Sequence, residues 1–148
     1  MTIVPVPRSS PLVEGGLWPS MVIAEALQTA GYAGQVLPCV SRVVAVPKSS
    51  SSPSDKRPSV DTHYDSLEVT EGDLFQPSKI TLVDDVLTQG RTTVACARRL
   101  MDAFPDAEIS VFAMVRTLGF KNITEIIDPV ANIIKYYPSG KTFRCDPD

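Results

Sequence analysis

Two adjacent carboxylates, Asp84 and Asp85, end a β-prone apolar run, Ile80-Thr81-Leu82-Val83, and a polar turn, Thr88-Gln89-Gly90-Arg91-Thr92, follows almost at once. The run is rich in branched side chains and suits a strand buried on both faces of a parallel sheet. After the turn, Val94, Ala97, Met101 and Phe104 recur at spacings of three and four as far as Pro105, which predicts a helix that stops there. Strand, polar turn and helix in that order make a phosphate cradle. The first amides of a helix lack internal partners and, with the helix dipole, attract an anion. Gly90 lets the backbone approach a ligand and take dihedrals closed to other residues. The hydroxyls of Thr88 and Thr92 add hydrogen bonds to the same oxygens. Carboxylates repel phosphate, so Asp84 and Asp85 must serve sugar hydroxyls, a cation, or positive charge that develops during a reaction.

From Ile80 to Thr92 the chain reads ITLV-DD-V-L-T-Q-G-R-T. This resembles the phosphoribosyl pyrophosphate (PRPP) motif of type I phosphoribosyltransferases: four mostly apolar residues, two acids, an apolar residue, any residue, Thr, Thr or Ser, Gly, a small residue and Thr. It departs from the motif at Gln89, where Thr or Ser is commoner, and at Arg91, where a small residue is usual. The resemblance implies that Asp84, Asp85, Val86, Leu87, Thr88, Gln89, Gly90, Arg91 and Thr92 bind PRPP. Asp84 and Asp85 are its catalytic carboxylates, holding the ribose hydroxyls and stabilising the cationic ribose. The cofactor implied is Mg²⁺, held mainly by ligand and water, with no residue expected to bind the metal directly. Three other readings of this stretch fail on spacing. A receiver domain needs this strand first and roughly a hundred residues after it, a Walker B strand needs a GxxxxGK[ST] loop that the chain lacks, and phosphatase-like acids stand two apart.

The elements that must position these residues follow in chain order. A first strand is predicted at Ile3 to Val6, short or irregular because Pro5 and Pro7 deny the sheet an amide. Pro7, Arg8, Ser9 and Ser10 then form a polar turn with one fixed positive charge. Read alone it is a surface turn; IVPVPRSS looks like the pyrophosphate-binding loop of competence-factor-F-like members of the family, which implies that these four residues receive pyrophosphate. Leu17 to Ala30 reads as a helix with Pro19 in its first turn, an apolar face of Val22, Ile23, Ala26, Leu27 and Ala30, and Gly31 and Gly34 at its end. Trp18, the only tryptophan, is expected to pack over the helix start rather than stack on a ligand.

Gln35 to Val46 offers β-prone runs at Val36 to Val40 and at Arg42 to Val46, one or two strands. Residues 47–59, PKSSSSPSDKRPS, are polar and proline-containing, cannot bury themselves and are expected to be a mobile loop. The family's catalytic loop lies at this place in the chain order and closes over PRPP. The resemblance therefore implies that Lys56 and Arg57 are catalytic cations for the pyrophosphate leaving group, followed by Lys48; Arg42 lies in the same stretch. His63, the only histidine, is open to a general acid or base role, to a helix start or to an ordinary surface imidazole. Ile109 to Val115 completes a βαβ unit with the central strand, its crossover right-handed and its ligand expected at the carboxyl ends of the strands. In the tail, Ile123 to Ile127 is a short helix or strand, and Ile133 to Tyr137 a strand followed by the turn Pro138-Ser139-Gly140.

Composition narrows the classes. A chain of 148 residues with 43% hydrophobic and 21% charged side chains suits one domain, residues 1–148, with a sizeable core. A net charge of -3 argues against a nucleic-acid-binding surface, and no apolar run approaches membrane-spanning length. Cys39, Cys96 and Cys145 are scattered without CxxC spacing, so structural zinc is not expected and the protein reads as cytoplasmic and reduced.

The expected fold class is α/β, a mostly parallel sheet with helices on both faces. By resemblance it is a type I phosphoribosyltransferase-like core with little or no N-terminal hood, so any hood comes from the tail or another subunit. The expected function is a glycosyltransferase of nucleotide metabolism that binds PRPP, a ribose phosphate or a nucleotide. It transfers ribosyl phosphate to a nitrogen acceptor and releases pyrophosphate. The competing reading, favoured by Gln89 and Arg91, is a non-catalytic PRPP or nucleotide sensor on the same fold. A homodimer is open. A third reading, an accessory subunit, would expose an apolar sheet edge and self-associate.

Overall fold

In the computed structural model, the described residues are 1–47, 57–70, 76–117, 128–129 and 131–145. The expectations for Lys48, Lys56 and Ile123 to Ile127 lie outside them. Eleven elements occur among the described residues: β1 (Thr2–Pro5), α1 (Pro19–Thr29), β2 (Gln35–Val36), β3 (Val40–Arg42), α2 (Val60–Asp65), β4 (Leu67–Val69), β5 (Lys79–Leu87), α3 (Arg91–Ala103), β6 (Glu108–Arg116), β7 (Ile133–Tyr136) and β8 (Thr142–Cys145). The order β2-β1-β5-β6 makes a four-stranded sheet, parallel throughout. The α/β expectation holds.

Alternate residues of the inner strands face opposite layers, so these strands are apolar on both sides. Val4, Ile80 and Leu82 join Ala95, Cys96 and Leu100 of α3 in the larger core, while Ile3 and Val83 pack with Ala24 of α1. Helices therefore cover both faces. Pro5 is tolerated in an inner strand for a local reason. Val6 N donates to Val83 O, so the alternate position 5 faces the β2 side, and β2 stops at Val36 opposite Ile3. No ladder bond is lost there.

Both helices keep part of their predicted faces and bury further residues beside them. In α1 the fully buried residues are Ser20 and Ala24, with Ile23 and Leu27 packed beside them, whereas Val22 is 54% exposed. Small residues bring this helix close to the sheet, and the expected Ile23 and Leu27 flank them. In α3 the buried stripe is Thr93, Cys96 and Leu100 with Ala95 and the expected Phe104, and Val94 and Ala97 pack half-buried against the same core; of the predicted face only Met101 turns outward, 57% exposed. A threonine leads the stripe because its hydroxyl has a buried partner, Asp84.

The strand boundaries also differ from expectation. β5 runs through both acids to Leu87, and the two runs predicted within Gln35 to Val46 shrink to β2 and β3. β3 leaves the main sheet and pairs antiparallel with β4, which was not anticipated. Ser59 caps α2 by accepting from Thr62 N at 3.0 Å. β7 and β8 form an antiparallel hairpin around the Pro138-Ser139-Gly140 turn. Arg98 of α3 ties this hairpin to α2, pairing with Asp61 at 2.7 Å between the rings of Tyr64 and Tyr136.

Candidate functional site

A pocket of about 350 Å³ opens at the carboxyl ends of β1 and β5, the position at which open parallel sheets bind ligands. One wall is the stretch from Asp84 to Thr93, another is Val6 to Ser9 with Leu17, Pro19 and Ser20, and the third is Arg42, Arg57 and His63. The fold thus brings together Asp84 to Thr92, Pro7, Arg8, Ser9 and Arg57. Ser10 does not line the pocket. Trp18 packs as expected, its indole Nε1 donating to Val6 O at 2.8 Å and holding the start of α1 against the end of β1.

The turn after β5 is built as an anion cradle. Gly90 takes φ +76 as the cap of α3, a left-handed conformation that strains any residue with a side chain. The first helical bond runs from Val94 N to Gly90 O. Among the described residues, the backbone amides from Thr88 to Thr93 donate to no protein acceptor. Six donors at a helix start, beside a pocket, require an anion or water.

The acids are fixed next to that cradle. Asp84 Oδ1 accepts from the amide of Asp85 at 3.0 Å, and Asp84 Oδ2 accepts from Thr93 Oγ1 at 3.3 Å. Asp85 Oδ1 accepts from the amide of Val86 at 2.8 Å. Burial, with the neighbouring Asp85 charge, pushes the Asp84 carboxyl up to about 7. This pair gains when a positive charge or a donor-rich sugar edge meets it. Among the described residues no group of three or more His, Cys, Asp or Glu could hold a metal ion. The donor set fits Mg²⁺ only as an ion carried mostly by ligand oxygens and water.

Positive charge converges on the pocket from separate elements, and Arg42 is the residue that sequence reasoning ranked too low. It is 4% exposed. Its Nε donates to Arg8 O at 2.6 Å and its Nη1 to the Ser66 hydroxyl, while Nη2 is buried without a hydrogen-bond partner among the described residues. An arginine between Ser41 and Val43 in a short strand was the available signal. Arg91, the departure from the usual small residue, donates from Nη1 to the carbonyls of Arg57 at 3.0 Å and Pro58 at 3.2 Å. It fastens the far end of the 47–59 stretch to the cradle. His63 is buried rather than a surface imidazole, with Nε2 3.3 Å from Thr92 Oγ1. Burial, then the charges of Arg42 and Arg91, pushes it down to about 4, so it is neutral at pH 7.

The hairpin braces the cradle from outside the pocket. Thr142 Oγ1 donates to Gln89 O at 2.7 Å, Arg144 Nη1 to Leu87 O at 3.4 Å, and Ile134 packs against Gly90. Nothing in the spacing of the tail signalled these contacts.

Fold and site together define an α/β protein with a parallel sheet and a pocket suited to an anion beside two carboxylates. No family model matches the chain, and no curated protein matches it either. No helix among the described residues is long and apolar enough to cross a membrane.

Proposed function

We propose that this chain is a phosphoribosyltransferase-like enzyme that binds PRPP and transfers its ribosyl phosphate to a nitrogen acceptor with release of pyrophosphate. The observation that carries the reading is the cradle itself: amides from Thr88 to Thr93 with no protein acceptor among the described residues, directly beside Asp84 and Asp85. Those amides and the hydroxyls of Thr88 and Thr92 hold the 5′-phosphate. The two carboxylates hold the ribose hydroxyls and stabilise positive charge on the ribose as the anomeric bond to pyrophosphate breaks. Arg8 and Ser9, with the buried Arg42 and with Arg57, receive the departing pyrophosphate. Bound Mg²⁺ would neutralise charge on the pyrophosphate. Arg91 keeps Arg57 and Pro58 against the site. The cysteine thiols form no disulfide among the described residues, which suits a reducing, cytoplasmic setting.

The test is calorimetry with PRPP and Mg²⁺, followed by pyrophosphate release with a panel of nitrogen bases. Asp84→Asn/Asp85→Asn is expected to abolish release. Binding without release for any acceptor would favour the sensor reading. No binding of PRPP overturns both.

A further inference from the structure

We propose that β6 is the pairing edge of a symmetric homodimer, in which a second copy of this chain extends the sheet antiparallel across a two-fold axis at Phe112. The two edges of the main sheet are unlike. β2 is only two residues long, and such shortness blunts an edge. β6 runs for nine residues, and from Ile109 to Val115 it contains no charge, proline or glycine. Those are the devices that keep an edge strand from pairing, so this edge is open to a partner strand. Among the described residues no strand pairs with its outer side.

The side chains agree. Val111 and Phe112 point to opposite faces and are 38% and 40% exposed, while Met114 and Val115 are 61% and 52% exposed. α1 packs on β1, β2 and β5 and leaves Phe112 and Met114 exposed. Such a patch on both faces of an edge marks an interface.

A copy of the same chain is the occupant because the strand is self-complementary. Its ends carry opposite charges, Glu108, which also pairs with Lys79 of its own chain at 3.5 Å, and Arg116. An antiparallel partner centred on Phe112 sets Glu108 of each copy beside Arg116 of the other and Phe112 beside Phe112, with uncharged, mostly apolar residues between. A parallel partner would set like charges together, which is unfavourable. Two-fold pairing closes the assembly and yields one eight-stranded sheet.

Light scattering on the full chain is expected to give twice the 16.0 kDa monomer mass at micromolar protein. Phe112→Lys is expected to weaken the dimer at least tenfold while the circular dichroism spectrum is retained. As a second arm, Phe112→Cys in a Cys145→Ser background is expected to form an intermolecular disulfide on mild oxidation, since directly opposed antiparallel residues come within disulfide reach. A monomer up to about 100 µM overturns the proposal. So does a dimer in which Phe112→Cys fails to cross-link.

Discussion

Thr93 Oγ1 donates to Asp84 Oδ2 across 3.3 Å, and this bond joins the carboxyl end of the central strand to the first turn of the helix after it. Thr93 is 1% exposed. It ties the first turn of α3 to the strand end and favours the ionised form of one acid beside a second. Thr93→Val removes the donor at constant shape. Because the bond favours the charged carboxylate, its loss is expected to raise Asp84 further above about 7 and to move the pH midpoint of PRPP binding upward by roughly half a unit. Calorimetric titrations from pH 6 to 9 check this; a midpoint that stays or falls contradicts the role.

The Asp84 contribution to stability should fall as pH rises toward neutrality. The folded pKa of this carboxyl, about 7, lies above the unfolded carboxylate value. The native state therefore binds the extra proton between about 4 and 7, and stability present below that window is lost across it, on the order of 4 kcal/mol. His63 works in the opposite sense. Its folded value is about 4, so stability present above about 6.5 is lost as pH falls toward 4. The two trends oppose each other over most of the range. Asp84→Asn is expected to gain stability over the native chain at pH 8 and to leave only the acid-side loss, read by urea denaturation at several pH values.

Gly90 is constrained by two things at once. Its φ of +76 is costly for any other residue, and an added Cβ would come 2.9 Å from Ile134 Cδ1. Gly90→Ala should cost about 1 to 2 kcal/mol. Pairing it with Ile134→Val recovers the contact but not the dihedral cost. Denaturation of the single and double variants separates the two, and full recovery would mean that the backbone conformation costs nothing.

Removing Arg42 should damage anion binding more than its place in the chain suggests. Arg42→Met keeps the aliphatic stem but deletes the donors to Arg8 O and Ser66 and the buried Nη2, which has no partner among the described residues. Affinity for inorganic pyrophosphate is expected to drop at least tenfold, about 1.4 kcal/mol. An unchanged affinity would remove Arg42 from the anion site and leave it a purely structural arginine.

Strand, turn and helix around Asp84 could be read from the sequence because each signal is local. An apolar run, two acids, a glycine that must turn left-handed and a helix start are contiguous, and their hydrogen bonds or lack of them follow from chain order. The same locality made the α/β class and the placement of the pocket at the carboxyl ends legible. What long-range packing decided could not be read that way. Arg42 meets Arg8 across 34 residues and Thr142 meets Gln89 across 53. No spacing rule encodes either. The helix faces were legible only in part: Ile23, Leu27 and Phe104 pack inward as expected, whereas Val22 turns outward because several sides of α1 are apolar, and Thr93 is buried for its hydroxyl rather than its hydropathy. His63 shows the limit most plainly: its type offered three roles, and only the surrounding burial and the two arginines made it a neutral interior side chain.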